Sequence, residues 1–388
     1  MLKNCIIYFY FGVLFIVSSC QRHQTENTKE SASARLIPSG IITFNIDQET
    51  SFNNYFYDAF TINGEDFLGL VNRNANGVQV YSLTDGKLHK KFKFQESGPD
   101  GFPRLRAFTF INPDSIFIIN LYAKNLWLVD IDGKIKRKFN ALNDNGKPLF
   151  NLGAAFYTGV KPLFYKNRLY IQSYSKDVNS SDLTFFDQDN KTEIEIDLES
   201  ENWKYVNIHY PPFYKGNLWV GDISRDLGKD GKLVYSFGAD SNIITYNLAD
   251  KRSEVFDAQS NFIGNIMPLV KTDDEAAVAR YFLEIPRYTN LVYDKYRDVY
   301  YRFVRHELES INLTTGSRNT YDDADFSIII LDSSFKKIGE TKIEETRHHI
   351  NSYFVSKEGL YLSNTNPKNP DLKEDVLSFT LFKLQIDN

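Results

Sequence analysis

The feature that most constrains this chain is a strand–turn unit that recurs along its length. In "LWLVDIDGKIKRKF", residues 126–139, an apolar run ends at Asp132-Gly133, and Ile135, Arg137 and Phe139 then alternate with lysines. This is the pattern of a β-hairpin whose first strand is covered on both faces and whose second meets water on one. The turn recurs at Asp130/Lys134, Asp187/Lys191, Asn247/Lys251 and Asp332/Lys336, as an apolar residue, Asp or Asn, and Lys four positions later. "YSLTDGK", ending at Lys87, is a looser copy one residue longer, as a β-bulge would make it. The Asp or Asn side chain is expected to bond the turn backbone.

Another apolar strand precedes each copy: "FLGLVN" (67–72), "SIFIIN" (115–120), "RLYIQS" (168–173), "KLVYSF" (232–237) and "VYYRFV" (299–304). A sixth, "GLYLSN" (359–364), precedes "SFTLFKLQI" (378–386). Six units spaced by roughly 50–65 residues indicate a radial repeat array, and four strands per unit make it a β-propeller. The expected fold is all-β, a six-bladed β-propeller of four-stranded antiparallel blades. The last unit ends at Asn388 without room for its outermost strand, and "GIITFNI" (40–46) has no partner of its own. The N-terminal strand is therefore expected to pair in the last blade and close the ring, which removes an open sheet edge. Two β-sandwich domains are the alternative, and they leave the in-register turn unexplained.

The N-terminus reads as a processing signal. Lys3 supplies its charge, Ile6 to Val17 its apolar stretch, and Val17-Ser18-Ser19-Cys20 its small-residue cleavage site. The Cys directly after that site resembles the lipobox of bacterial lipoproteins, which makes Cys20 the expected lipidation site. The division is then a signal peptide (1–19), a lipidated Cys with a polar tether (20–39) and one propeller domain (40–388). Two or more acyl chains suffice for stable anchoring. Gln21 follows the Cys where an Asp would favour inner-membrane retention. An outer-membrane lipoprotein facing the periplasm or the cell exterior is expected, its membrane contact made through the lipid.

Cys5 leaves with the signal, so no thiol remains for a disulfide, nucleophile or metal. The net charge of −5 argues against nucleic-acid binding, which needs a basic field. No cofactor is expected, and neither is a metal: the six histidines are scattered, and adjacent His348 and His349 point to opposite faces of a strand. Asp322, Asp323 and Asp325 have calcium-ligand chemistry but lack the Gly and distal Glu of the known calcium loop, so a solvated acidic loop is preferred. A monomer is expected.

Function is expected on one face. Turns between first and second, and third and fourth, strands are short, whereas the remaining connections include 95–108, 199–216, 257–290, 305–326 and 364–375. Long loops in a compact domain are usually functional, and these surround one mouth of the ring. Candidate ligand-binding residues on that face begin with the arginines where inner strands start: Arg104, Arg106, Arg287 (beside Tyr288) and Arg347 (beside His348). They offer planar forks to an anion, or pair with local acids such as Glu96, Glu284 and Glu345. "NWKYVNIHYPPFY" adds Trp203, Tyr205, His209 and Tyr210, a surface for a sugar or peptide or simple packing. "TDDEAAVARYFLEIP" reads as a short helix with a Thr272–Glu275 capping box and Arg280 on it.

The lipobox, the repeat, the "ESGPDGF" crossing before "SIFIIN" and "LVYDKYRDVYYRF" (291–303) together resemble TolB-like six-bladed β-propeller lipoproteins of Bacteroides-type bacteria, a domain-of-unknown-function family. The resemblance is carried most specifically by Tyr293, Asp294, Tyr296, Arg297, Tyr300, Tyr301 and Arg302. It implies fold and envelope location and transfers no catalytic residue. Gluconolactonase-like propellers share the ring but hold a metal with Glu, Asn and Asp, a set not identified in this sequence. The leading expectation is a binding or scaffold module for a protein, peptide or glycan. The alternative is a hydrolase or lyase acting on an anionic small molecule or glycan, with Glu344, Glu345 or Asp325 as its acid.

Overall fold

The computed structural model describes residues 33–120, 125–140, 157–175, 186, 189–343 and 346–387. Cys20, Asp187, Glu344 and Glu345 lie outside them. Four antiparallel four-stranded sheets follow one another along the chain. The first is β2 (Tyr57–Ile62), β3 (Glu65–Asn72), β4 (Gly77–Ser82) and β5 (Leu88–Lys93). The second is β6 (Leu105–Asn112), β7 (Ser115–Asn120), β8 (Asn125–Val129) and β9 (Ile135–Asn140). The third is β10 (Leu163–Tyr165), β11 (Arg168–Gln172), β12 (Glu193–Asp197) and β13 (Trp203–Tyr205). The fourth is β14 (Ile223–Leu227), β15 (Lys232–Phe237), β16 (Asn242–Asn247) and β17 (Ser253–Asp257).

The remaining strands form one eight-stranded sheet, where two separate four-stranded blades were expected. One half is β18 (Arg287–Asp294), β19 (Val299–Arg305), β20 (Phe326–Asp332) and β21 (Lys337–Ile343). The other is β22 (Tyr353–Val355), β23 (Leu360–Ser363), β24 (Val376–Asp387) and the N-terminal β1 (Ser33–Asn45). The halves are joined where β1 runs parallel to β21, with Ala34 opposite Gly339. A Cβ on Gly339 would lie 1.8 Å from the Ala34 carbonyl oxygen, so glycine there permits the join. Leu36 N–H adds a 2.9 Å bond to Thr341 Oγ1. β1 pairs antiparallel with β24 from Ser33↔Asp387 to Asn45↔Val376, beginning seven residues before the expected boundary at residue 40.

The core is divided among the spaces between neighbouring sheets. Phe44, Tyr57, Leu68, Tyr81, Phe354 and Phe379 fill the space between the first sheet and the β22–β1 half. Val234, Ile243, Tyr300, Val304 and Ile329 do so between the fourth sheet and the β18–β21 half. Each of the six apolar runs read as a second strand is one: β3, β7, β11, β15, β19 and β23. The turn acids act as expected at three described copies. Asp130 Oδ1 accepts from Asp132 and Lys134 N–H, Asn247 Oδ1 from Ala249 N–H, and Asp332 Oδ1 from Ser334 and Lys336 N–H. A bulge interrupts β4–β5 next to the longer copy, but β8–β9 and β20–β21 are bulged as well, so it does not set that copy apart.

First strands contact each other through side chain to backbone bonds. Thr109 Oγ1 donates to Pro162 O at 2.7 Å, Leu291 N–H to Ser224 Oγ at 2.8 Å, and Asn290 Nδ2 to Ile350 O at 3.0 Å. The second strands, β7 among them, are buried along almost their whole length by packing between sheets. The one α-helix among the described residues, α1 (Glu275–Glu284), is capped by Asp274, which accepts from Ala276 and Ala277 N–H. Thr272, the expected cap, instead accepts from Asp274 N–H. α1 ends before Pro286 as expected, and its Val278, Tyr281 and Phe282 pack on the core near the fourth sheet.

Candidate functional site

Because each sheet is antiparallel, the residues just before every first strand lie on the same face as the long connections. Several of these residues meet around a cavity of about 250 Å³. Tyr55 comes from the approach to β2, Tyr157 from the turn before β10, Asp222 from the residue before β14, and Asn351 from the approach to β22. Arg287 and Thr289 begin β18, and Tyr321 arrives from the β19–β20 loop.

Charge and aromatic surface alternate around this cavity. Arg287 is buried and donates through Nη1 to Asp222 Oδ2 at 3.2 Å and through Nη2 to the Phe282 carbonyl at the end of α1. Its guanidinium carbon lies 5.7 Å from the Tyr321 ring centre, and that of Arg305 lies 4.7 Å from it. Arg305 donates to the carbonyls of Leu283 and Ile285, which ties α1's exit to β19. Burial lowers the Arg305 pKa to about 10, opposed by Tyr321 and assisted by repulsion from Arg287. The Tyr157 and Tyr321 hydroxyls are pushed up, first by burial and then by the Asp222 carboxylate, so both stay protonated donors at neutral pH. On the other side Tyr55 lies 4.8 Å, ring to ring, from His349, whose Nε2 is 3.2 Å from Asp322 Oδ1. Burial, then Asp322, raises the Tyr55 pKa.

Two further arginines lie on the same face, at the β3–β4 turn and at the start of β6. Arg106 is the bulged residue between Leu105 and Ala107 at the start of β6, a position where a bulge re-aims the side chain. Its Nε is buried without a hydrogen-bond partner. Arg73 begins the β3–β4 turn, and that turn is fastened to the segment before Arg106. Asn76 Nδ2 donates to Phe102 O at 2.6 Å, and Leu105 N–H donates to Asn76 Oδ1 at 2.8 Å. The Arg73 pKa is lowered by burial and by the Arg106 charge, while Tyr55 opposes the shift.

The arginines read from sequence therefore divide. Arg287 lines the cavity, and Arg106 begins β6 on the same face. Arg104 is exposed with φ +56°, and Arg347 lies elsewhere, 3.6 Å from Asp371. Arg347 and His348 help line a different groove of about 540 Å³, bounded also by Leu36, Gly40, Ile41, Thr341 and Phe382 between β1, β21 and β24. The partner of Arg287 is Asp222, distant in sequence, and not the nearby Glu284. Tyr288 points away from the cavity and stacks under Arg302, 3.6 Å from ring centre to guanidinium carbon. Arg280 is exposed on α1.

The "NWKYVNIHYPPFY" segment packs. Trp203 and Tyr205 lie on the outer strand β13 against the core of the first three sheets. Tyr210 is buried, its hydroxyl donating to Gly221 O at 2.8 Å, and the half-buried His209 is 3.0 Å from Asn207 Oδ1. The three acids of the 322–325 loop turn to separate partners: Asp322 to His349, Asp323 to Thr320 and Lys368, Asp325 to Lys342. Among the described residues no group of three or more His, Cys, Asp or Glu is placed to hold a metal. Tyr55, Arg73, Tyr157, Asp222, Thr289, Tyr321 and Asn351 were missed. Their shared signal is a position at a strand start or in a loop on the long-loop face.

The "YDKYRDVYYR" residues serve the opposite face. Asp294, fully buried, accepts from Tyr296 and Arg297 N–H, from the Arg297 guanidinium at 2.8 Å and from the Tyr301 hydroxyl at 3.1 Å. Arg297 then donates to the carbonyls of Ser356 and Lys357 in the β22–β23 turn. Arg302 gives its donors to Ser236 Oγ and to the carbonyls of Ser241, Ala258 and Asp240 in the fourth sheet. The motif fastens neighbouring sheets together.

Comparison with known proteins places this architecture. The family described as Domain of unknown function (DUF4221) matches residues 33–342. A structure of a DUF4221 member from Bacteroides vulgatus is similar with 24% identity and a TM-score of 0.79, covering 92% of this chain and all of the other. A Bacteroides fragilis protein classed by inference as exported is similar with 12% identity and a TM-score of 0.51, covering 94% and 98%. No protein of curated function matches. Among the described residues no helix is long and apolar enough to cross a membrane.

Proposed function

Because the chain belongs to the DUF4221 family, a domain of unknown function, we propose its role from its own site: a binding module of the cell envelope that takes a small polar ligand at the cavity bounded by Tyr55, Tyr157, Asp222, Arg287 and Tyr321. The observation that carries this reading is the convergence of residues from five separate strand starts on one cavity. Such a constellation is held rigid by the sheets behind it and needs no rearrangement to receive a ligand. Half-buried tyrosines give flat apolar faces, and Asp222, Thr289 and Asn351 give fixed hydrogen-bonding groups between them.

The ring in this reading is six-bladed. The eight-stranded sheet counts as two blades meeting at Ala34 and Gly339, with β1 as the outermost strand of the last. Chain ends paired along β1 and β24 make a closed ring that resists opening, suited to a domain carried outside the cytoplasm without disulfides. Cys20 is the lipid attachment point in the same reading, and the likeness to a Bacteroides protein classed as exported supports export alone.

The test is a thermal-shift screen of the full-length protein in detergent against panels of glycans, peptides and metabolites, run beside Tyr157→Ala and Tyr321→Ala. Ligands that raise the Tm of the wild type and not of the variants support the reading. Ligands that stabilise all three proteins equally bind elsewhere and refute it.

A further inference from the structure

Arg73 and Arg106 are two guanidinium groups on the face that carries the aromatic mouth, and among the described residues no carboxylate is paired to either. Arg73 is exposed and Arg106 half-buried, whereas the fully buried arginines among the described residues are committed. Arg225 is paired with Glu193, Arg287 with Asp222, Arg302 with three carbonyls, and Arg305 with carbonyls of the α1 exit. Arg73 and Arg106 are held near each other by two independent features, the Asn76 bonds that fasten the 73–76 turn to residues 102–105 and the bulge that re-aims Arg106. Two like charges kept close without a counter-charge are unfavourable for the empty protein and favourable for an anion bound between them. Asn54 Nδ2 donates to Val71 O at 2.7 Å, two residues before Arg73, which ties the segment carrying the cavity residue Tyr55 to the strand that leads into Arg73, so a ligand in the cavity can extend towards the two arginines.

We propose that the ligand of this mouth is an acidic monosaccharide or the acidic end of a glycan: its carboxylate, sulfate or phosphate group is held by Arg73 and Arg106, and its ring lies against Tyr55 in the cavity. This rests on the binding reading above and names its ligand class. A volume of about 250 Å³ is below the usual range for a drug-sized ligand, roughly 300–1,000 Å³, and suits one sugar-sized ring. Thr289, Asn351 and the Asp222 carboxylate supply the donors and acceptors that ring hydroxyls use. Planar guanidinium forks match all three anionic groups, so the geometry names their shared chemistry and the experiment separates them.

The experiment is calorimetric titration of the full-length protein in detergent with glucuronate, glucose 6-phosphate, glucose 6-sulfate and neutral glucose. The proteins are wild type, Arg73→Gln/Arg106→Gln, Arg73→Lys/Arg106→Lys and Tyr157→Ala. At least one acidic sugar is expected to bind at least tenfold more tightly than glucose, and the strongest of the three identifies the group. The double Gln variant is expected to lose that preference, the double Lys variant to retain part of it, and added NaCl to weaken it. Circular dichroism should show the Gln variant folded, because among the described residues neither arginine is in an ion pair. Glucose binding as tightly as the acids, or a preference unchanged in the Gln variant, overturns the inference. In that case, loss of glucose binding in Tyr157→Ala leaves the mouth standing as the binding site. Absence of binding by all four sugars also overturns the inference, and the wider panel screen then judges the mouth on its own.

Discussion

Replacing Glu193 by Gln neutralises the acid of a fully buried ion pair and changes its shape very little. Glu193 on β12 and Arg225 on β14 are both without solvent exposure. They form a two-pronged contact, Nε to Oε2 at 2.8 Å and Nη2 to Oε1 at 3.0 Å, and the Tyr235 hydroxyl donates to Oε2 at 3.2 Å. Nη1 is held by the Lys161 carbonyl at 2.7 Å, so the guanidinium has no route to water that keeps the third and fourth sheets packed. Removing one partner of a buried pair costs about 3–5 kcal/mol because the other charge stays buried. An unfolding entropy near 2.1 cal/mol/K per residue is about 0.7 kcal/mol/K for a domain of roughly 350 residues, so Tm should fall by about 4–7 °C. Scanning calorimetry should show this drop for Glu193→Gln. It should show almost none for Glu201→Gln, whose partner Arg137 is exposed on the surface. Glu193→Gln/Arg225→Met, which removes both charges, should regain most of the loss. A Tm for Glu193→Gln within about 1 °C of wild type, or a double variant less stable than the single, would refute the reasoning.

Gly339→Ala should lower Tm and speed amide exchange at residues 33–36, because its Cβ has no space against the Ala34 carbonyl, whereas Gly40→Ala, with nothing within 4 Å, should be nearly neutral. Stability against pH should fall in two separable steps. Burial holds His306 below 6.5, with Asp325 opposing, so the unfolded chain takes the proton first and stability drops as pH falls from 6.5 towards the folded value; His306→Gln should flatten this step. Burial raises the Glu340 pKa, but bonds from Lys337, Ser260, Asn261 and Ser327 outweigh it and hold the group below 4.5. Its contribution is complete above 4.5 and is lost as pH falls through the folded value, a step that Glu340→Gln should remove. Trp203→Ala should cost about 2 kcal/mol of stability through lost packing and leave ligand binding unchanged, since Trp203 sits on an outer strand.

The repeat was legible because it is written in local terms. Apolar runs mark second strands, and Asp130, Asn247 and Asp332 mark turns through bonds spanning two to four residues. The N-terminal pairing was legible as a strand without a partner, but its start was not. Between Ser33 and Ser39 only Ala34 and Leu36 are buried, too few to mark a strand by alternation, and the segment is strand because β24 offers it a register across the whole chain. The site was half legible. Arg106 and Arg287 carry a local mark, charge at the start of an inner strand. Arg347 carries the same mark and lies in another groove, so the mark is not sufficient. Asp222 and Tyr157 meet Arg287 from different sheets, a nonlocal fact no spacing encodes. The aromatic segment at 203–214 misled because tyrosines in a loop pack or bind with equal ease. Here Tyr210 and Tyr214 bond the carbonyls of Gly221 and Val220 in the interior.

The most direct measurement is a crystal structure of the protein with the tightest-binding sugar of the titration. The sugar is expected between Tyr55, Tyr157 and Tyr321, with its anionic group facing Arg73 and Arg106. A sugar seated instead in the larger groove beside Leu36, Arg347 and Phe382, with the mouth empty, would contradict it.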